Sequence, residues 1–172
     1  MALAAPVDEG FNGRRVGFAG RVAMRAVVQR VSSASVTVNG DVTGAIGVGL
    51  LVLLGVEVGD GDTDLAYIVE KITSLRVFPD TNGRMNRDVR DADGALLVVS
   101  QFTLAGDCRR GRRPSWDGAA GPDEARVWYE RALQAWRDRA LPVQCGVFQA
   151  DMQVSLVNDG PVTLLLDSRK HF

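Results

Sequence analysis

A nearly all-apolar run from Ile46 to Val58 limits the fold of this chain more than any other segment. Glycines and Glu57 interrupt the run, and it is far shorter than the roughly 20 residues that a membrane-spanning helix requires. A nearly continuous apolar stretch of this kind is typical of a strand in the interior of a sheet. We therefore predict a long central strand here, and we expect no segment of the chain to cross a bilayer.

Shorter segments with alternating or continuous apolar residues predict the strands around this run. These segments are 26–31, 34–38, 95–102, 146–149, 152–156 and 162–166. Asn39-Gly40 follows the second of them directly and is a typical type I′ hairpin turn.

Two stretches with apolar residues at helical spacing predict two helices. The first has Asp62 or Thr63 as its N-cap and ends before Pro79. The second begins near Pro122 and ends before Pro142. Two helices among many strands predict a single α/β domain with mixed sheets.

The N-terminal 23 residues show neither a helical nor a strand periodicity. A chain of 172 residues has the length of one domain. We therefore expect a disordered leader or an upstream-start extension over residues 1–23 and one folded domain over residues 24–172.

The titratable side chains exclude several classes of chemistry. The lone histidine, His171, lies beside the C-terminus, so neither a His-based triad nor a multi-His metal site is expected. Neither lysine, Lys71 or Lys170, lies in a P-loop motif. Cys108 and Cys145 make neither a C-x-x-C pair nor a disulfide framework, which suits a reducing compartment. We predict no metal and no cofactor, and a net charge of -1 favours no particular partner.

Polar residues occur at the end of an otherwise apolar strand in Ser100-Gln-Phe-Thr103. Strand ends commonly carry functional sites, because the sheet holds them rigidly while the adjoining loop leaves them accessible. Local hydrogen bonds to the backbone would explain the same residues.

Turn chemistry predicts a hairpin connection over Asn158-Asp-Gly-Pro161-Val-Thr163. A Gly-Pro step between two strands could also present two backbone carbonyls outward in a fixed direction, and X-Pro bonds are the main place where cis peptides occur.

Four arginines within five residues form a third distinctive segment. Arginine-rich loops bind phosphate through paired donors, and a neighbouring aromatic such as Trp116 can stack on a base. A solvated basic loop would have the same sequence. The candidate nucleic-acid-binding residues are Arg109, Arg110, Arg112 and Arg113.

Taken together, six segments resemble the D-aminoacyl-tRNA deacylase family, and their motifs S-Q-F-T and N-x-G-P-V-T are highly specific in combination. The segments are 24–31, 35–38, 49–55, 100–104, 113–115 and 152–163. The resemblance implies a barrel-like α/β fold and a cytoplasmic homodimer that hydrolyses the ester joining a D-amino acid to tRNA. It also implies a proofreading role and activity on glycine wrongly attached to alanine tRNA.

The resemblance further implies roles for individual residues. Gly160-Pro161 is expected to have a cis peptide bond and to enter the partner subunit's active site, where its backbone rejects an L side chain. Arg30 is expected to orient this loop, and Phe102 to lie beside the terminal adenine. The residues expected to line the catalytic pocket are Ser100, Gln101, Phe102, Thr103 and Met152.

Family precedent assigns the reacting hydroxyl to the tRNA, because the terminal ribose 2′-OH assists ester hydrolysis. Thr103 is the one well-placed protein hydroxyl, and no histidine or lysine lies near it in sequence to activate it. Two alternatives stay open. One is an esterase with Thr103 as its nucleophile, and the other is a non-catalytic RNA-binding module that uses the arginine loop.

Overall fold

The computed structural model describes residues 23–171, which contain eight strands and two α-helices. In chain order these are β1 (Arg25–Val38), β2 (Asp41–Ile46), β3 (Gly49–Gly55), α1 (Asp62–Ser74), β4 (Phe78–Pro79), β5 (Met85–Arg87), β6 (Ala95–Ser100), α2 (Pro122–Arg137), β7 (Val143–Cys145) and β8 (Gln153–Asp167). A short 3-10 turn, Phe102–Ala105, follows β6. No helix in this range is long and apolar enough to span a membrane.

The predicted leader, 1–23, lies outside the described residues except for Ala23. This residue is fully buried, and its backbone N–H donates to the Glu57 carboxylate at 3.1 Å.

Six strands form one mixed sheet in the order β2-β1-β3-β6-β7, with β8 paired along the other edge of β1. The β3/β6 and β6/β7 pairs are parallel, and the pairs that involve β1 are antiparallel. The sheet curls until β2 meets β7, where a Cβ on Gly44 would lie 2.7 Å from the Cys145 carbonyl oxygen. Glycine permits this backbone approach, so the predicted barrel-like α/β fold is confirmed.

The central strand was placed correctly but is shorter than predicted. β3 lies between β1 and β6, and Leu50, Leu51 and Val52 are almost completely buried because both faces of the sheet are covered. Ile46 instead ends β2, and residues 47 and 48 form the turn between the two strands. The apolar run therefore contains parts of two strands that hydrophobicity alone could not separate.

Both predicted helices are present and pack against each other on one face of the sheet. Trp136 of α2 is fully buried and donates its indole N–H to the Val69 carbonyl of α1 at 3.2 Å. The N-cap prediction for α1 was wrong by one residue, because Gly61 is the N-cap and Asp64 accepts its N–H at 3.0 Å. α2 begins at Pro122 as predicted.

Three other strand predictions need correction. Residues 26–31 and 34–38 form the single strand β1, since β8 pairs with both parts of it. Residues 146–149 are not a strand, and Gln149 has a φ of +65°. The strand predicted over 95–102 ends at Ser100, where the parallel pairing with β3 stops at Leu54. The Asn39-Gly40 hairpin is confirmed, because both residues have the positive φ of a type I′ turn.

Candidate functional site

A cavity of about 680 Å³ opens where β3 and β6 end, beside the start of α2. Ser100, Gln101 and Phe102 line it from the end of β6, and Met152 lines it from the segment before β8. Apolar side chains such as Leu54 form much of the remaining wall. The fold therefore brings four of the predicted pocket residues together, although Met152 is 50 to 52 positions from the other three in sequence.

The 3-10 turn holds this motif over the end of β3. The Gln101 N–H donates to the Leu54 carbonyl at 2.8 Å, and the Leu104 N–H donates to the Gln101 carbonyl at 3.2 Å. A Cβ on Gly55 would lie 2.9 Å from the Gln101 carbonyl oxygen. Glycine at the last position of β3 therefore lets the turn approach the strand closely.

Thr103 lies beside the cavity rather than in its lining, and its side chain is exposed. Its hydroxyl accepts a hydrogen bond from the Gln101 amide at 2.5 Å. Within residues 23–171 no histidine, lysine or carboxylate bonds to this hydroxyl, so it has no general base in the single chain.

An arginine that sequence reasoning missed supports the 3-10 turn from behind. Arg25 donates to the Leu104 carbonyl at 3.0 Å, and it pairs with Glu57 at 3.0 Å and with Asp167 at 3.3 Å. Both carboxylates are buried. In the sequence, only Glu57 pointed to such a support: it is an isolated charge within an apolar run, and buried carboxylates are rare unless they are paired with a cation.

The pKa values of the two carboxylates that hold Arg25 shift in opposite directions. It raises the pKa of Glu57, although hydrogen bonding from Ala23 and the charge of Arg25 oppose it. Burial also works to raise the pKa of Asp167, but hydrogen bonds from His171, the Arg169 backbone and Arg25 together lower it. The lone histidine therefore contacts a carboxylate that supports the turn.

The Gly160-Pro161 segment is not the hairpin that turn chemistry predicted. β8 continues through it, and both halves of β8 pair antiparallel with β1. Thr163 pairs with Gln29 and Asn158 pairs with Val31, so residues 159–162 bulge out opposite a single residue of β1. The long β1 strand offers both halves of β8 the same partner, and this non-local pairing overrides the local turn signal.

The side chain opposite this bulge is that of Arg30. It is buried, donates to the Asp159 carbonyl at 3.0 Å, pairs with the Asp159 carboxylate at 3.1 Å and also bonds to the Val77 carbonyl. Gly160 has a φ of +89°, and a Cβ there would lie 1.9 Å from an Arg30 nitrogen. Asn158 closes the bulge through its amide, which donates to the carbonyls of Arg30 and Val162.

The cis bond implied by the resemblance is not present, because residues 23–171 contain no cis peptide bond and Gly160-Pro161 is trans. Trans is favoured by about 0.5–1 kcal/mol for an X-Pro bond without other constraints. Pro161 is exposed in the single chain, so little packing opposes that preference.

The Gly160-Pro161 bulge does not belong to the cavity of the same chain. None of residues 159–162 is among those that line the cavity, although β8 contributes Val154 to its wall. The predicted site residues therefore form two separate groups in one chain, and Gly160 and Pro161 point out to solvent.

The arginine segment is a loop with a closed base. Asp107 and Ser115 exchange two backbone hydrogen bonds of 2.8 and 3.1 Å, so residues 108–114 project between them. Arg109 pairs with Asp107, and its hydrogen bonds hold the pKa of that carboxylate well below its usual range. The exposed arginines of this loop that form no ion pair within residues 23–171 are Arg110, Arg112 and Arg113.

Comparisons with known proteins agree with this architecture. Residues 27–167 match the family model described as D-Tyr-tRNA(Tyr) deacylase. The chain is 60% identical over 149 residues to the D-aminoacyl-tRNA deacylase of Syntrophobacter fumaroxidans, which covers 87% of this chain and all of that protein. It is 56% identical over 146 residues to the D-aminoacyl-tRNA deacylase of Geobacter sulfurreducens, covering 85% of this chain and 96% of that one.

Two solved structures share the fold. A c-Myc DNA unwinding element binding protein superposes with a TM-score of 0.78 and 42% identity, over 83% of this chain and 97% of its own. A probable eukaryotic D-amino acid tRNA deacylase superposes with a TM-score of 0.73 over 84% of this chain and 99% of its own. At 17% identity, the second likeness concerns the fold alone.

Proposed function

Because this chain belongs to the D-Tyr-tRNA(Tyr) deacylase family, we propose that it hydrolyses the ester bond joining a D-amino acid to the 3′ end of tRNA. The observation that carries this proposal is the cavity in which Ser100, Gln101, Phe102 and Met152 meet. At about 680 Å³ it has the size of a small-molecule site and can hold an acylated terminal nucleoside. Proofreading of charged tRNA would place the protein in the cytoplasm.

The working enzyme is a homodimer in which each copy's Gly160-Pro161 loop reaches the other copy's cavity. The loop is exposed and contributes no residue to the cavity of its own chain. Within the described range, β8 has no strand on its outer edge, and Val157 and Leu165 on it are 57% and 62% exposed. A long apolar edge of this kind favours pairing with another chain.

Chiral selection follows if the loop meets the substrate's α-carbon. A rigid backbone rejects an L side chain by steric overlap whatever its chemistry, which a tailored side-chain pocket could not do for many amino acids. Gly160 has no side chain to prevent close approach, and Arg30 holds the loop from behind. A glycyl ester has no side chain to reject, so glycine on alanine tRNA is also a substrate.

The tRNA's terminal 2′-OH assists the hydrolysis, and the protein positions the ester. Thr103 has no base near its hydroxyl, which supports a reacting group supplied by the substrate. Orientation in a water-restricted cavity accounts for much of the rate needed for a labile ester. Ser100, Gln101 and Phe102 then hold the acylated adenosine, and Thr103 orients the Gln101 amide from beside the cavity.

Deacylation of matched D-tyrosyl-tRNA and L-tyrosyl-tRNA by the purified protein tests the activity. Turnover of the D ester with little turnover of the L ester is expected. Equal rates would refute chiral selection, and binding without turnover of either ester would indicate an RNA-binding module. A D ester whose terminal 2′-OH is replaced by hydrogen separates the mechanisms, because continued hydrolysis at the normal rate would implicate Thr103.

A further inference from the structure

Two large aromatic side chains stand exposed at the mouth of the cavity. Phe102 is 59% exposed and Trp116 is 38% exposed, and both contribute to the cavity wall. Their ring centroids are 6.1 Å apart at an interplanar angle of 51°. This geometry lies in the favourable range for an aromatic pair, so each ring restrains the other while part of each stays open to solvent.

The backbone around Trp116 is held on both sides. Ser115 belongs to the hydrogen-bonded base of the arginine loop, and the Trp116 carbonyl accepts the Ala119 N–H at 2.9 Å. Trp116 therefore stands on a fixed segment between the cavity mouth and the loop that carries Arg110, Arg112 and Arg113. An aromatic face beside unpaired arginines is the combination by which proteins hold single-stranded nucleic acid, through base stacking and phosphate contacts.

We propose that Trp116 is the stacking site for the nucleobase that precedes the terminal adenosine in the unpaired 3′ end of tRNA. This inference rests on the proposed function, because it assumes that the acylated adenosine occupies the cavity beside Phe102. The polynucleotide must then leave through the cavity mouth, where the next base meets the indole face. Its phosphates continue towards the arginine loop, which supplies charge without reading the base.

Substrates of two lengths separate this subsite from the cavity itself. D-tyrosyl-adenosine ends at the cavity, whereas a D-tyrosyl ester of the trinucleotide cytidylyl-cytidylyl-adenosine extends across Trp116. Trp116→Ala should lower kcat/KM for the trinucleotide ester by about 5- to 150-fold, mainly through KM, and should lower it much less for the adenosine ester, which loses only the contact of Trp116 with Phe102 in the cavity wall. Trp116→Phe, which keeps an aromatic face, should retain most of the activity on both.

Two kinetic results would overturn the proposed stacking site. An equal loss with both substrates would place Trp116 in the adenosine site and overturn the proposal. No loss with either substrate would overturn it as well.

Fluorescence provides a test that does not require turnover. The unacylated trinucleotide should quench the tryptophan emission of the wild-type protein and of Trp128→Phe, in which a half-buried indole on α2 is removed. The quenching should disappear in Trp116→Phe, and quenching that persists there would refute the stacking site. If the wild-type protein hydrolyses neither ester, the proposed function fails while this measurement still decides the inference.

Discussion

Replacing Gly160 by alanine tests the contact that shapes the Gly160-Pro161 loop. The backbone at this position has a φ of +89°, which costs an L residue about 1–2 kcal/mol. The new Cβ would also lie 1.9 Å from an Arg30 nitrogen, so the buried guanidinium must move. Its hydrogen bond to the Val77 carbonyl is then lost, at about 1.5–3 kcal/mol for a bond to a charged group. Gly160→Ala should therefore destabilise the fold by about 2.5–5 kcal/mol.

Gly40→Ala is the matched control for this substitution. Gly40 has a φ of +91°, and a Cβ there would meet nothing within 4 Å. It should cost only the backbone penalty of about 1–2 kcal/mol, so the difference between the two variants measures the displacement of Arg30.

The assay is urea unfolding followed by circular dichroism at one fixed protein concentration, because self-association would make the midpoint depend on concentration. In an Arg30→Ala background, the cost of Gly160→Ala should fall to that of Gly40→Ala. Equal destabilisation by Gly160→Ala and Gly40→Ala in the wild-type background would refute the reasoning. An unchanged cost in the Arg30→Ala background would refute it too.

Three further predictions concern the charged groups. Arg25→Ala removes the hydrogen bond to the Leu104 carbonyl, so it should loosen the 3-10 turn and lower kcat/KM by up to about 100-fold. Added guanidinium should restore part of the activity. Wild-type kinetics in this variant would contradict the proposal that Arg25 supports the turn. Burial raises the pKa of Asp60 from 3.8 to about 7, so the folded protein loses stability as pH rises from 3.8 to about 7, where this carboxyl is ionised in the unfolded chain but still protonated in the folded one. Asp60→Asn should then raise the free energy of unfolding in urea by up to about 4 kcal/mol at pH 8 and by much less near pH 4. A larger stabilisation at pH 4 than at pH 8 would exclude a raised pKa for Asp60. Each alanine substitution in the arginine loop should reduce the slope of log affinity for tRNA against log salt by about 0.7–0.9, and an unchanged slope would remove that residue from the interface. The residues to test are Arg110, Arg112 and Arg113.

Local patterns predicted the elements whose partners are close in sequence. The Asn39-Gly40 turn requires positive φ at both positions, and α2 begins at Pro122 because proline suits the first helical turn. The hairpin error occurs where a distant strand decides the outcome. Residues 158–163 have every local feature of a hairpin, yet β1 pairs with the chain on both sides of them and turns them into a bulge.

The residues of the candidate site also fall into two groups, those that a local pattern predicts and those that depend on contacts with distant parts of the chain. Ser100 and Gln101 could be named from the sequence because they are polar residues at the end of an apolar strand, whereas Phe102 was named through the family resemblance. Arg25 could not, because its significance depends on Leu104 and Asp167, which are 79 and 142 positions away.

The sequence by itself determined which side chains are present: a chain with one histidine and two lysines, a motif of polar groups after an apolar strand, and a Gly-Pro step. Tertiary structure alone decided where they lie. It brought Met152 to the cavity, placed Arg30 under Gly160, and left the Gly160-Pro161 loop outside the lining of the cavity in its own chain. The physical reason is that the sheet register and the curl of the barrel arise from pairing between distant strands, which no local pattern contains.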